Sequence, residues 1–428
     1  MTSMGRGIIG VGLAVVLVLA ACGSTDESAG GASEIDLSES DNAPAITADQ
    51  GTGAETVAEP AVEPTPTSGA TTNPAATNPA TTNTTIITDP VPPRSFTLLA
   101  GGEILPHSPL WRGAAANAEG VGFDFAPMLA PLTEQVSAAD LSICHLETPI
   151  APEGEDYSTD PLYGVPAEIA TAIAATGFDR CSTASNHVLD RYPRGVDRTV
   201  DVLEAAGVAQ SGMARTPEEI EPSIIGVNGI AVSHLAYTYG TNGIPPPPDQ
   251  RWRTRLLSAE QVIADAARAH DIGAEFVVVS IHWGTEKQTE PDDEQQTIAD
   301  QVTATGLVDL ILGHHAHVLQ PIELVNGVWV AYGLGNLLSN HPVADHWPAS
   351  TQDGALIEFE ITLASDGTVL VGRPMATPTW VDKGSGWVVR NVFDDLAQPD
   401  LADWLQAELE RSLERTDGVL GPFIDDDG

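Results

Sequence analysis

The chain has 428 residues, enough for one large domain with a substantial core. Its formal net charge is −42, from 60 acidic against 18 basic side chains, and only two of the basic ones, Lys287 and Lys383, are lysine. So acidic a chain argues against nucleic acid as a partner, because phosphate binding needs clustered Lys and Arg.

Residues 1–21 read as an export signal. Arg6 precedes an apolar run from Ile8 to Ala21 that is short for a permanent span but right for a secretory segment. The run ends in Leu19-Ala20-Ala21-Cys22-Gly23, the pattern of a bacterial lipobox, in which Cys22 becomes the lipidated first residue. The expectation is an extracytoplasmic lipoprotein that meets the cell membrane through a lipid anchor. Residues 22–94 follow as a Ser/Thr/Pro/Ala/Gly-rich acidic linker, with no Lys, Arg or aromatic residue from Gly23 to Pro93. Such a stretch buries too little apolar surface to offset its ordering entropy and is expected to be an extended, disordered spacer.

Folded sequence is expected over 95–428. "SFTLLAGGE" reads as a strand ending at Glu103, and "FAPMLAPLTEQVSAAD" has helical spacing. "LSICHLETPI" is a strand ending at His145 and Glu147, followed by the helix "PAEIATAIAATG" with Pro166 at its entry and Gly177 at its exit. "FDRCSTASNHVLD" is a strand leading to Asn186, His187 and Asp190, then the helix "GVDRTVDVLEAAGV". "GIAVSHLAYTY" is a strand with His234 inside it, and "SAEQVIADAARAHDIG" is a helix capped by Ser258. Val277 to Ile281 form an apolar run stopped by His282, and Val308 to Leu312 a second one stopped by Gly313-His314-His315-Ala316-His317. The helix "DEQQTIADQVTATG" lies between these two runs. "VWVAYGLGNLLS" reads as one closing strand, Ala355 to Asp382 as antiparallel, and "LADWLQAELERSLE" as an amphipathic terminal helix. Strands alternating with helices of this length mean an α/β fold. Cys144 and Cys181 could form a bridge or remain buried thiols, and no C-x-x-C spacing suggests a thiolate metal site.

Uninterrupted Val/Ile/Leu runs suit parallel strands covered on both faces, and such sheets bind ligands beyond their carboxyl ends. Those ends carry Glu103, Glu147, Asn186, His187, His282, His315 and His317. A mixed set of carboxylate, amide and imidazole suits a pair of divalent ions such as Mn, Fe or Zn, which together can activate a water and clamp a phosphoryl or carbonyl oxygen. His187 and Asp190 are the candidate catalytic pair, with Asp190 orienting the imidazole or accepting a proton. Arg191 and Arg194 beside them are candidates for holding anionic substrate groups.

The ordered motifs "HLETPI", "SNHVLD", "IHWGTE", "GHHAHVLQ" and "GLGN" resemble the CapA/PgsA family of capsule and poly-γ-glutamate biosynthesis proteins, related to the calcineurin-like metallophosphoesterases. The resemblance covers about Phe96 to Asn340, with 345–428 fitting more loosely. It implies a four-layer α/β/β/α sandwich, a dinuclear-metal-like site, and a cell-envelope polymer or its synthase and export machinery as partner. By motif it assigns Glu147, the Asn186-His187 pair, His282, and the pair His315 and His317 to the site. The sequence departs from the family at Glu103, where aspartate is usual, and at His145, where asparagine is usual; Leu105 replaces the histidine of the phosphatase D-x-H pattern. Two functions therefore compete: a metal-dependent hydrolase acting on a phosphoester or on polyglutamate, and a non-catalytic polymer-binding or export factor that keeps the fold.

Overall fold

The computed structural model describes residues 92–342 and 346–424. Cys22, the expected signal peptide and nearly all of the expected linker lie outside them. The chain builds two sheets in three passes. β1 (Arg94–Ile104), β2 (Leu141–Leu146), β3 (Arg180–Ser182) and β4 (Ala209–Ser211) open the first sheet. β5 (Ile225–Val227), β6 (Ile230–Thr238), β7 (Phe276–His282), β8 (Leu310–His314), β9 (Ile322–Val325) and β10 (Val328–Ala331) make the second. β11 (Asn336–Leu338), β12 (Asp353–Leu363), β13 (Val369–Val371), β14 (Met375–Asp382) and β15 (Val388–Asn391) return to the first.

The first sheet runs β15-β14-β12-β1-β2-β3-β4, with β11 on β1 and β13 on β12; the second runs β5-β6-β7-β8-β10-β9. β1 to β4 are mutually parallel, as are β6, β7, β8 and β10. The strand tips are divided between the two sheets. One expectation is corrected here: "VWVAYGLGNLLS" is not one strand. Its first half is β10 in the second sheet and its last residues are β11 in the first, so Gly333-Leu334-Gly335 carries the chain across. A helix also forms unforeseen at Ser108–Asn117. The C-terminal stretch is integral, since every residue from Arg94 to Gly101 pairs with β12.

Side-chain alternation produces four layers. Leu98 and Ala100 of β1 face Val278 of β7 and Leu310 and Leu312 of β8 across the gap between the sheets. Leu99 points the other way, into a core with Leu110 and Ile169 of the helices Ser108–Asn117 and Glu168–Thr176. Val277 and Val279 turn outward onto Val262, Ala266 and Val302 of the helices Ala259–Asp271 and Asp293–Thr303. The architecture is thus α/β/β/α, as the resemblance implies. The central strands of the second sheet are buried on both faces, which is why β7 reads as a continuous apolar run.

Local sequence places the ends. Both outer pairs of the second sheet are two-residue hairpins, Asn228-Gly229 and Asn326-Gly327, in which all four residues take the positive φ that such turns require. Ser258 caps its helix by accepting from Gln261 N at 3.1 Å, and Asp292 and Gln295 form a capping box on the next. Cys144 and Cys181 are register partners on β2 and β3 and form a disulfide there. Among the described residues no helix is long and apolar enough to cross a membrane.

Candidate metal centre

The carboxyl ends of both sheets meet at one buried cluster. The first sheet delivers Glu103 at the end of β1 and Glu147 just past β2, with Asn186 and His187 in the loop after β3. The second delivers His282 at the end of β7 and His314, His315 and His317 at and beyond the end of β8. Register sets the neighbours: Glu103 is level with His145 on one side and Asn336 on the other, and His282 is level with His314. His315 and His317 both have positive φ, 99° and 57°. Non-glycine residues held there on both sides of Ala316 are a mark of functional loops.

Three sets of side chains place their donor atoms within 4.8 Å of one another: Glu147 with His282 and His315; Glu103 with Glu147 and His317; and Glu286 with His315 and His317. Glu147 belongs to the two fully buried sets. Its carboxylate is shielded from solvent, and neither oxygen has a hydrogen-bond partner. The nearest imidazole nitrogens, His317 Nε2 at 3.7 Å and His282 Nε2 at 4.0 Å, are too far to hydrogen-bond to it. They are close enough for donors that share one ion at about 2.0–2.2 Å each. A buried carboxylate left unpaired costs several kcal/mol, so the cluster fits a divalent cation far better than an apolar core.

His282 is fixed on both sides of its ring. Nε2 lies 2.9 Å from Asn186 Oδ1, and Nδ1 lies 3.1 Å from His145 Nε2. Glu103 accepts the His315 backbone N–H and pairs with His317 Nδ1. Asn336 Oδ1 also meets that nitrogen at 3.1 Å, while its amide donates to the carbonyls of His317 and Thr351. The H-x-H loop, which follows a strand of the second sheet, is therefore held by two side chains of the first, Glu103 and Asn336.

Protonation follows from burial and neighbours. Burial pushes Glu147 up to about 7, aided by the charge of Glu103. Burial also pushes His282 well below its usual value and brings His315 and His314 to about 4, so these rings are neutral and able to ligate. His317 is the opposite case: burial opposes its charge, but Glu103 and Glu147 outweigh it and raise it to about 10. For Glu103 burial is outweighed by the His317 charge, and its pKa falls.

His187 lies beside this centre, outside the three sets. Its Nδ1 is 2.7 Å from Asp190 Oδ2, which also accepts the Tyr163 N–H at 2.7 Å. Burial disfavours its charge, yet the Asp190 hydrogen bond and the Glu147 carboxylate raise its pKa. The arginines stand apart. Arg191 is engaged by the Tyr163 and Asp156 carbonyls and by Ser158 and Glu155, and Arg194, with 70% of its side chain exposed, pairs with Glu155 at 2.8 Å. His234 remains inside the fold, bonded to Arg180 at 3.0 Å and Ser280 at 2.9 Å.

Sequence reasoning missed Glu286, although it sits in the same "HWGTE" tip as His282. It also passed over His145 and His314, whose rings stack at 4.1 Å behind the centre. His107, His341 and Trp347 come from irregular loops with no periodic signal, and their rings border the cluster.

Residues 97–341, more than half of the chain, match the family described as bacterial capsule synthesis protein PGA_cap. The chain is 27% identical over 260 residues to the PGA biosynthesis protein CapA of Bacillus subtilis, covering 58% of this chain and 62% of that protein. It is 26% identical over 231 residues to the capsule biosynthesis protein CapA of Bacillus anthracis, covering 53% and 54%. The matches thus span between half and two-thirds of these relatives. Among solved structures, a calcineurin-like phosphoesterase of Bacillus subtilis aligns with a TM-score of 0.40 at 14% identity, over 76% of this chain and 99% of that one. The match across the two-sheet body, from β1 to the loop after β11, makes this chain a member of the bacterial capsule synthesis protein PGA_cap family.

Proposed function

We propose that the protein is an extracytoplasmic lipoprotein, anchored to the cell membrane through Cys22, that serves capsule or poly-γ-glutamate assembly with a two-ion, hydrolase-like site. One observation carries the site: the buried Glu147 carboxylate, without a hydrogen bond, shared by two sets of donors. In this reading Glu147 lies between two positions. His282, His315 and Asn186 would hold one ion, and Glu103 and His317 the other. Bound ions would supply an activated water and charge stabilisation at a phosphoryl or carbonyl oxygen. Asp190 keeps the His187 ring oriented and favours its protonated form, so His187 is placed to give a proton to a leaving group. The two sheets and the disulfide hold these groups on rigid strand ends.

A second reading keeps the fold without the chemistry. Its support is Leu105, buried and apolar where the phosphatase pattern has a histidine, together with the engagement of Glu103 by His315 and His317. Full-length protein assayed for metal content and for hydrolysis of a generic phosphodiester and of γ-polyglutamate separates the two. Turnover that disappears with the metal supports the hydrolase; bound metal with no turnover of either leaves the binding factor. Cys22→Ala is expected to shift the protein out of the membrane fraction or block its processing, and unchanged membrane residence would contradict the anchor.

A further inference from the structure

Of the three sets of donor atoms, the two-ion reading uses two. The third, Glu286 with His315 and His317, has no part in it, and Glu286 also lies outside the residues that the sequence motifs assign to the site. Glu286 differs from every other member of the three sets in being exposed. The turn that carries it is built to reach the H-x-H loop. Trp283 N–H donates to the His314 carbonyl at 3.1 Å, and Lys287 N–H donates to the Ala316 carbonyl at 2.8 Å. These two bonds flank Glu286 and lay the segment after β7 along the loop after β8. Gly284 takes a φ of 82°, and a Cβ there would press on the buried Gln295 amide at 2.5 Å. Lys287, directly after Glu286, holds a φ of 68°. A non-glycine residue stays in that region only where its surroundings fix the backbone, as the Ala316 carbonyl does here.

The two carboxylates of the histidine pair thus differ in exposure. Glu147 approaches His315 and His317 from within the fold, and Glu286 approaches the same two rings from the exposed side. In the two-ion reading those histidines serve different ion positions, so Glu286 reaches both. Tyr239 marks the same face: its exposed ring lies 4.7 Å from that of His315, and the Glu286 charge adds to burial in raising the phenol pKa. An anionic group arriving from solvent meets the Glu286 carboxylate before it meets the buried donors.

We propose that Glu286 is a solvent-side ligand spanning both ion positions, and that its carboxylate holds the place an incoming anion must take. The proposal rests on the two-ion reading above. It gives Glu286 two effects of opposite sense: the side chain slows the loss of bound ions, and it weakens the binding of an anion to the loaded centre.

The test uses full-length protein loaded with Mn2+ and reads two quantities: the rate at which EDTA withdraws the ions, and the affinity for inorganic phosphate by calorimetric titration. Glu286→Gln should release its ions about tenfold faster, as when a group supporting a metal site is lost. The same variant should bind phosphate about fivefold tighter, as for one unit of repulsion removed at a solvent-exposed position. Glu290→Gln removes the same charge from the same exposed loop, outside the three sets, and should change neither quantity. Faster release without tighter phosphate binding is what a merely structural role would give, and it overturns the proposal. An equal phosphate gain in Glu290→Gln assigns the effect to the general field of an acidic chain and also contradicts it. A parent that retains two ions, with a Glu286→Gln variant that releases them at the parent's rate, refutes the proposal and leaves the two-ion centre standing. A parent that takes up no Mn2+ refutes both.

Discussion

The space between the two sheets changes character along its length. In its middle, Phe96, Leu98, Ala100 and Ile143 meet Phe276, Val278, Leu310 and Leu312 in a dry apolar layer. At the carboxyl ends the same strands put Glu103, Glu147, His282 and His314 into an equally buried layer, where several polar atoms find no partner. Both regions are close-packed, but only the first accounts for its own burial. The second leaves buried hydrogen-bonding groups unmet, and that contrast separates structural from functional residues.

Substitution in the middle layer tests the first half of the contrast. Leu312→Ala should destabilise the protein by about 2–5 kcal/mol through the cavity it leaves, while the folded fraction keeps its full metal content. Chemical unfolding together with elemental analysis reads both. A loss of metal per folded molecule would mean that the two layers are not separable.

Glu147→Gln should behave in the opposite way. The folded pKa of Glu147 is raised from 4.5 to about 7. Its contribution is therefore fully present below about pH 4.5 and is lost as pH rises through 7, where the metal-free fold must bury a charge. Removing the charge should stabilise the metal-free protein at pH 8 by up to about 3 kcal/mol, and by much less at pH 5. The same change should abolish ion uptake. A variant less stable than the metal-free parent at pH 8 would show that Glu147 is satisfied without a cation.

Asp309 provides a smaller check outside the centre. Burial raises its pKa from 3.8 to about 6, although its carboxylate accepts the Val277 N–H at 2.7 Å. The sign is the same: stability is full below pH 3.8 and is lost as pH rises through 6. Asp309→Asn keeps an acceptor for Val277 and should stabilise by about 1–2 kcal/mol at pH 8 and negligibly at pH 4, with metal content unchanged. Equal effects at both pH values would contradict the burial account. Smallest of all, a chain starting at Arg94 should melt within about 1 °C of one starting at Cys22, since residues 22–93 carry no aromatic or basic anchor; a large drop would mean that the segment docks on the domain.

Much of this contrast is legible in the sequence because apolar runs that stop at a histidine report a buried strand and its tip together. The run before His282 and the H-x-H after Leu312 show it. The hand-over between sheets was not legible: Val328 to Leu338 is apolar but for Asn336, and periodicity cannot tell that Gly333-Leu334-Gly335 separates two strands of different sheets. The Asn-Gly hairpins at Asn228 and Asn326 were readable turn signals and were passed over. His145 was read as a departure from a family pattern, whereas its register beside Glu103 makes it the partner of His282 Nδ1. Trp347, His341 and His107 converge from loops far apart in the chain, and no local pattern predicts such a meeting.

Elemental analysis of the full-length protein, incubated with Mn2+ or Zn2+ at neutral pH and then dialysed, tests the central claim most directly. The account predicts close to two ions per chain, a loss of bound metal in His282→Ala and in His317→Ala, and no loss in Leu312→Ala. A parent protein that retains no ion under these conditions would contradict it.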